Sequence, residues 1–344
     1  MKNKIFLMFT ILIGTLTSCT NQDMVYDNYE FQSVYFAYQF PVRTITLGED
    51  VFDTTLDNEH KCRIMATLGG VYSNDKNVTV NVEVADPLTA GLLFKPAGDD
   101  VLPMPSNYYS LLSDKIVISN GKITGGLDVQ LTDAFFADPR AVKNTYVIPV
   151  KMTNVVNADT ILSGKALIAN PNRAIAGHWA VTPKDFIFYA IKYVNPWDGY
   201  YLRRGKDVIV GKNGNVALNK TIVRHKTYVE SDEVFKINTL SLTNIDFPIV
   251  YKDAAGNSIN CKLILSFDAT GNCTVSSSSP GTYTASGTGK FVKRGEKNSW
   301  GSKDRDALYL SYSVGLQDFN VTTNDTLVLR DRGVKAETFT PVLK

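Results

Sequence analysis

The stretch "INCKLILSFDATGNCTVSSS", residues 259–278, reads as strand, turn and strand. Its centre, "DATGN" (268–272), carries the Asp, Gly and Asn that hairpin turns use, with apolar-rich segments on either side. Pairing about that turn puts Phe267 near Asn272 and Cys261 opposite residue 278, so Cys261 and Cys273 do not face one another. The same punctuation recurs at "KNGN" (212–215) and "DAAGN" (253–257). Around these turns lie about ten short segments of strand pattern, from "DGYYLRRG" (198–205) to "DTLVLRDR" (325–332). Consecutive hairpins without a long crossover make a meander. A meander of about eight to ten strands removes its exposed edges most easily by closing into a barrel.

The first half is also built of strands. Seven segments carry the pattern: 33–39, 61–69, 77–85, 115–121, 127–132, 145–153 and 164–170. Seven short antiparallel strands fit an immunoglobulin-like sandwich. In "NVTVNVEVA" (77–85), Val78, Val80, Val82 and Val84 fall on one face, and Thr79, Asn81 and Glu83 on the other. The fold class is therefore all-β. A sandwich over 31–173 precedes a lipocalin-like antiparallel barrel over 174–344, with the boundary at "PNRAIA" (171–176). One segment is ambiguous. "TPKDFIFYAIKYV" (182–194) opens with an N-cap residue, Thr182, followed by Pro183, but its apolar run is nearly continuous. It suits a helix or a buried strand equally.

The chain opens with a leader. Lys2 and Lys4 precede the apolar run "IFLMFTILIGTL" (5–16), too short to span a bilayer, and the run ends in "LTSC" (16–19). That ending resembles the lipobox of bacterial lipoproteins, which implies removal of 1–18, acylation of Cys19 and a tether over 19–30. Several acyl chains hold a protein on a membrane without spanning it. Without Lys2 and Lys4, the 36 Lys and Arg fall to parity with the 34 Asp and Glu. No basic bias is left to draw nucleic acid. The cysteines Cys62, Cys261 and Cys273 are an odd set for disulfides and read as small hydrophobes. His60, His178 and His225 lack zinc-site spacing, so neither metal nor cofactor is expected.

Two sets of blocks carry a family resemblance. "NYYSLLSDKIVISNGKITGGLDVQLTDAFF" (107–136) with "TYVIPVKMT" (145–153) resembles the N-terminal domain of many Bacteroidetes surface lipoproteins, a domain of unknown function. "KDFIFYAIKYVNPWDGYYLRRG" (184–205), "GKFVKRGEKNSWGSKDRDALYLSY" (289–312) and "DTLVLRDRG" (325–333) resemble its lipocalin-like, calycin-type companion. The resemblance implies glycan-related work in a polysaccharide-utilisation system, beside a starch-utilisation-type transporter pair. It transfers no binding residue. The lineage's short O-glycosylation pattern is matched by "DTT" (53–55), "DTI" (159–161) and "DTL" (325–327), with acceptors Thr54, Thr160 and Thr326.

No nucleophile elbow is present, and His178 and His225 read as structural or solvent-facing, so a non-enzymatic protein is expected. The acidic run "GEDVFDTTLDNEH" (48–60) could gather calcium but lacks the spacing of an EF-hand and reads better as a solvated loop. Sugar binding needs exposed aromatic faces beside planar polar groups. "KNSWGSKDRD" (297–306) offers Trp300 and Arg305, and "YVNPWDGYYLRRG" (193–205) offers Trp197 and Tyr201. In the second stretch the aromatics either face a ligand or close the barrel's bottom. The resulting expectation is a lipid-anchored outer-membrane protein, on the cell surface or the periplasmic face, that binds a glycan or oligosaccharide. An adhesin or surface-assembly protein with a protein partner, and a carrier of a small apolar ligand, are the alternatives. An apolar open lumen would favour the carrier, an aromatic and polar rim the glycan, and a packed lumen with a flat apolar surface patch the protein partner.

Overall fold

The computed structural model describes residues 29–344, so the leader, Cys19 and the tether up to residue 28 lie outside the described residues. The chain is all-β: a two-sheet sandwich and a closed eight-stranded antiparallel barrel. In the sandwich, one sheet runs in the order 160–161, 33–35, 61–69, 124–131 and 109–111. The other has the strands 337–338, 41–46, 186–194, 146–156, 78–84 and 115–118 side by side. The alternation at Val78, Val80 and Val82 puts these three in the core, against Ile64, Leu127 and Ile148. Val84 breaks ranks and is exposed.

The ambiguous segment resolves as the strand Phe186–Val194. Its apolar run is continuous because both faces are covered. Ile187, Tyr189, Ile191 and Tyr193 enter the sandwich core. Phe186, Phe188 and Ala190 pack on the other side against Leu92, Phe94 and the far C-terminal Phe339. This strand pairs antiparallel with Tyr146–Val156 and parallel with Pro41–Thr46. The sandwich is thus not wholly antiparallel, and 41–46 is a strand that its sequence pattern did not announce.

Those pairings correct the expected domain boundary. The sandwich does not end at 173 but keeps residues through 194. It also recovers the C-terminal segment: Glu337–Thr338 pairs with Pro41–Val42, and Val342–Leu343 with Leu92–Leu93. The barrel is set within the sandwich's sequence instead of following it. The expected strand at 164–170 shrinks to Lys165–Ala166, paired with 179–181.

The barrel is the expected meander, closed by a long pairing of Gly199–Gly211 with Phe319–Asp331. Its hairpins turn where the Gly residues allow it. Gly271 and Gly256 sit at φ +82° and +85°, and the Asp268 carboxylate accepts the Thr270 and Asn272 N–H groups at 2.8 and 3.0 Å. The register sets Phe267 opposite Cys273, one residue beyond the expected Asn272. Tyr201, Phe235, Phe247, Phe267, Tyr312 and Phe319 fill the interior. Burying each such ring stabilises by roughly 1.5–3 kcal/mol.

All three cysteines in the described residues are free and buried. Burial pushes the thiols of Cys62 and Cys273 up to about 12 and raises that of Cys261. Because the thiolate is the nucleophile, an aromatic disulfide reagent at pH 8 should find almost no reactive thiol in the native chain from Thr20 onward. All three should react in denaturant. Rapid native labelling of any of them would contradict this packing.

Candidate functional site

The link between sandwich and barrel is built from the "NPWDG" stretch. Asn195 is buried and donates from Nδ2 to the carbonyls of Ser241 (2.9 Å) and Asn244 (3.0 Å). Its Oδ1 accepts the N–H groups of Trp197 and Asp198 at 3.2 Å each. The Asp198 carboxylate accepts the Thr239 N–H (2.6 Å) and hydroxyl (2.8 Å) and pairs with Lys236. Trp197 stacks on Phe267, with ring centroids 4.0 Å apart and planes 10° from parallel. It closes the end of the barrel next to the link.

Tyr201 is fully buried, and its hydroxyl donates to the Trp197 carbonyl at 2.8 Å. As a ligand-facing residue it is therefore corrected: the inward side of Gly199–Gly211 carries it into the core. Tyr200, the neighbour on the outward side, is the exposed one, with the Lys236 ammonium 5.0 Å from its ring centre.

Arg332 joins the domains. Its guanidinium is buried and donates to Asn195 O and Asp198 O, both at 2.6 Å, and to Leu47 O and Glu49 O in the sandwich at 3.3 and 3.1 Å. Beside it opens a cleft of about 350 Å³, bounded by the 49–52 loop of the sandwich and by 304–306 and 329–334 of the barrel. Phe52 offers an aromatic side chain 39% exposed, and Val51 stands free in solvent. Asp50 accepts the Val51 N–H on one carboxylate oxygen (2.6 Å), while the other is buried without a partner among the described residues. Glu49 ties the loop to the barrel through Lys293 at 2.6 Å, and the bond and charge of Lys293 lower its pKa.

Across the cleft, the Arg305 guanidinium lies 3.4 Å from the centre of the Trp300 ring, and Arg305 Nε donates to the Trp300 carbonyl at 3.2 Å. The indole N–H donates to Leu329 O at 3.2 Å. Gly301, at φ +67°, permits the turn that folds Arg305 back onto the ring. Of the two residues expected here, Arg305 lines the cleft and Trp300 holds it in place from behind. The sequence showed Phe52 and Asp50 only as part of an acidic loop; their meeting with Arg305 depends on the domain contact. The rest of that loop does not converge on a cation. Asp57 turns inward to Arg43 and the Thr46 N–H (2.8 Å), and no group of three metal-ligating side chains occurs among the described residues.

The proposed glycosylation acceptors differ in access. Thr54 is buried, its hydroxyl donating to Gly48 O at 2.7 Å, which leaves it no free acceptor role. Thr160 and Thr326 are half-buried on strands. His178 accepts the Asn172 N–H at 3.0 Å, and His225 is exposed, bonded to the Lys226 carbonyl at 3.1 Å.

Two family models match the chain: an N-terminal domain over residues 26–159, and a domain of unknown function (DUF5627) over 196–333. The second begins at the link and so marks the barrel. The chain belongs to the same family as a structural-genomics protein of unknown function from Bacteroides ovatus. The two are 46% identical over 92% of this chain and all of that one, with a TM-score of 0.87. More remote is an auxiliary nutrient binding protein from Bacteroides thetaiotaomicron, 15% identical over 84% of this chain and 90% of that one, TM-score 0.36. A putative carbohydrate binding protein from Bacteroides ovatus is 13% identical over 88% and 71%, TM-score 0.27. Likenesses so distant decide nothing about this chain. No curated protein matches it.

Removing the Arg332 guanidinium leaves several buried carbonyls without donors. Arg332→Met should lower unfolding stability by about 3 kcal/mol and expose 195–198 to limited proteolysis. A denaturation midpoint and a cleavage pattern like those of the wild type would show that the junction is held by other contacts.

Proposed function

We propose that the chain is a non-enzymatic, lipid-anchored protein of the outer membrane that captures glycans in the cleft between sandwich and barrel. One observation carries this reading: the cleft brings an exposed aromatic, Phe52, and the Arg305 guanidinium stacked on Trp300 into one lining with Asp50. Aromatic and planar polar groups in one concave surface are what pyranose rings and their hydroxyls require. The membrane anchor rests on the sequence up to Cys19, with the sandwich as spacer and the barrel presenting the cleft. In this reading the protein hands its glycan to a transporter pair. The aromatic and aliphatic side chains packed inside the barrel speak against an apolar carrier. The same packing favours the protein-partner reading, together with Val208, Val210, Val223, Val234 and Val250, which are exposed on strands between 199 and 252.

The test is tryptophan fluorescence of the chain from Thr20 onward, titrated with plant and host polysaccharides, with Phe52→Ala and Trp300→Ala alongside. A saturable change that weakens roughly tenfold or more in both variants, with no release of new reducing ends, supports the proposal. Silence toward every glycan, with the fold intact, shifts the weight to a protein partner. For the anchor, Cys19→Ser should move the protein from the membrane fraction to the soluble fraction of the cell. Continued membrane association would refute lipidation at Cys19.

A further inference from the structure

The barrel wall is incomplete on one side. Glu233–Thr239 occupies the edge of Gly199–Gly211 only along 199–203, and Lys220–Arg224 takes over the same edge along 205–209. Toward the next strand, Glu233–Thr239 pairs only at Asn238–Asp246 and Thr239–Ile245. From Phe247 to Lys252 that strand has no neighbour on this side among the described residues, and Pro248 within it has no N–H to offer one. The gap opens into a cavity of about 290 Å³, near the lower end of the ~300–1,000 Å³ usual for small-molecule sites.

The floor of this cavity is charged. Arg203, 7% exposed, donates to Asp325 Oδ2 from Nη2 (2.8 Å) and Nε (3.1 Å). Arg224 reaches Asp325 Oδ1 from Nη2 at 2.7 Å and clasps Asp207. The Thr323 hydroxyl is committed to Asp207 Oδ1 at 2.7 Å. Among the described residues, Arg224 Nε is buried without a hydrogen-bond partner. The Tyr251 hydroxyl, on a residue only 8% exposed, has just the already engaged Thr323 hydroxyl beside it. Burial raises the Tyr251 phenol far above its ordinary value, so it stays protonated and able to donate. Buried donors without acceptors are costly in a fold. Ile222 and Ile249 give the cavity apolar walls, and Lys220 and Lys252 stand at its mouth. The lining holds the cations Arg203, Arg224, Lys220 and Lys252 against the anions Asp207 and Glu233.

We propose that this lateral cavity is a second binding site, separate from the interdomain cleft, for a small organic acid. Its carboxylate accepts from Arg224 Nε–H and the Tyr251 O–H while its apolar face lies on Ile222 and Ile249. Sugar acids and aromatic acids share this chemistry.

Titration calorimetry on the chain from Thr20 onward would use D-glucuronate and benzoate, with glucose and benzyl alcohol as neutral partners. One carboxylate should bind saturably and its neutral counterpart at least tenfold more weakly, and whichever binds names the source. Tyr251→Phe should weaken that binding roughly tenfold, the loss of one hydrogen bond to a charged group. Trp300→Ala should leave carboxylate binding intact, which separates this site from the cleft. The proposal falls if neither carboxylate binds at tens of millimolar, or if Tyr251→Phe binds as the wild type does. Arg224 is left unaltered in these tests, since its removal would strand Asp207 and Asp325.

Discussion

Everything that this molecule can do at its domain junction depends on one buried cation. The Arg332 guanidinium is dissolved in main-chain carbonyls, two from the sandwich and two from the link. Carbonyl dipoles solvate a charge without neutralising it, so the arrangement works only while all of them converge. That convergence needs the Asn195 turn, the Asp198 grip on Thr239 and the loop that follows Leu47 to be in place together. The cleft inherits its shape from this. Residues 330–333 form one side of it, and the loop bearing Phe52 forms the other. A stretch rich in aromatics and polar groups, "NPWDGYY", thereby serves as the joint that sets the cleft and not as the surface that faces a ligand.

The barrel makes a different compromise with charge. Arg203 lies inside it, 4.9 and 5.6 Å from the ring centres of Phe235 and Phe247, and is kept there by Asp325. Burying an ion pair gives little net stability, whereas removing one partner costs about 3–5 kcal/mol. Apolar residues packed in place of such a pair are often as stable or more so. The cluster lies where the wall is thinnest, next to strand edges that have no partner, so polarity and access coincide in one place.

Much of the architecture is legible locally. Asp-x-x-Gly-Asn turns declare hairpins because the Asp side chain and the glycine's positive φ act within five residues of chain. The Val78, Val80, Val82 alternation declares a half-buried strand for the same reason. Phe186–Val194 is different. Its second face is covered by Phe94 and Phe339, far away in sequence, and nothing within the segment says whether a continuous apolar run is helix or strand. A boundary set at 171–176 therefore cuts this strand from the sheet to which it belongs. In the cleft, Arg305 and Trp300 were legible as an aromatic in a polar loop. Phe52 was not, because its value comes from a surface that belongs to the other domain. The Arg203–Asp325 pair spans 122 residues and leaves no trace in either strand's pattern.

The return of Glu337–Thr338 onto Pro41–Val42 has a mechanical meaning. The barrel hangs from the sandwich by two covalent strands, 195–198 and 332–336, that leave the same sheet close together. A pull between the N-terminal segment and something gripped by the barrel is shared by both strands at once, with Arg332 lying across them. A protein tethered at one end and holding a large polymer at the other would meet such a load with every movement of that polymer.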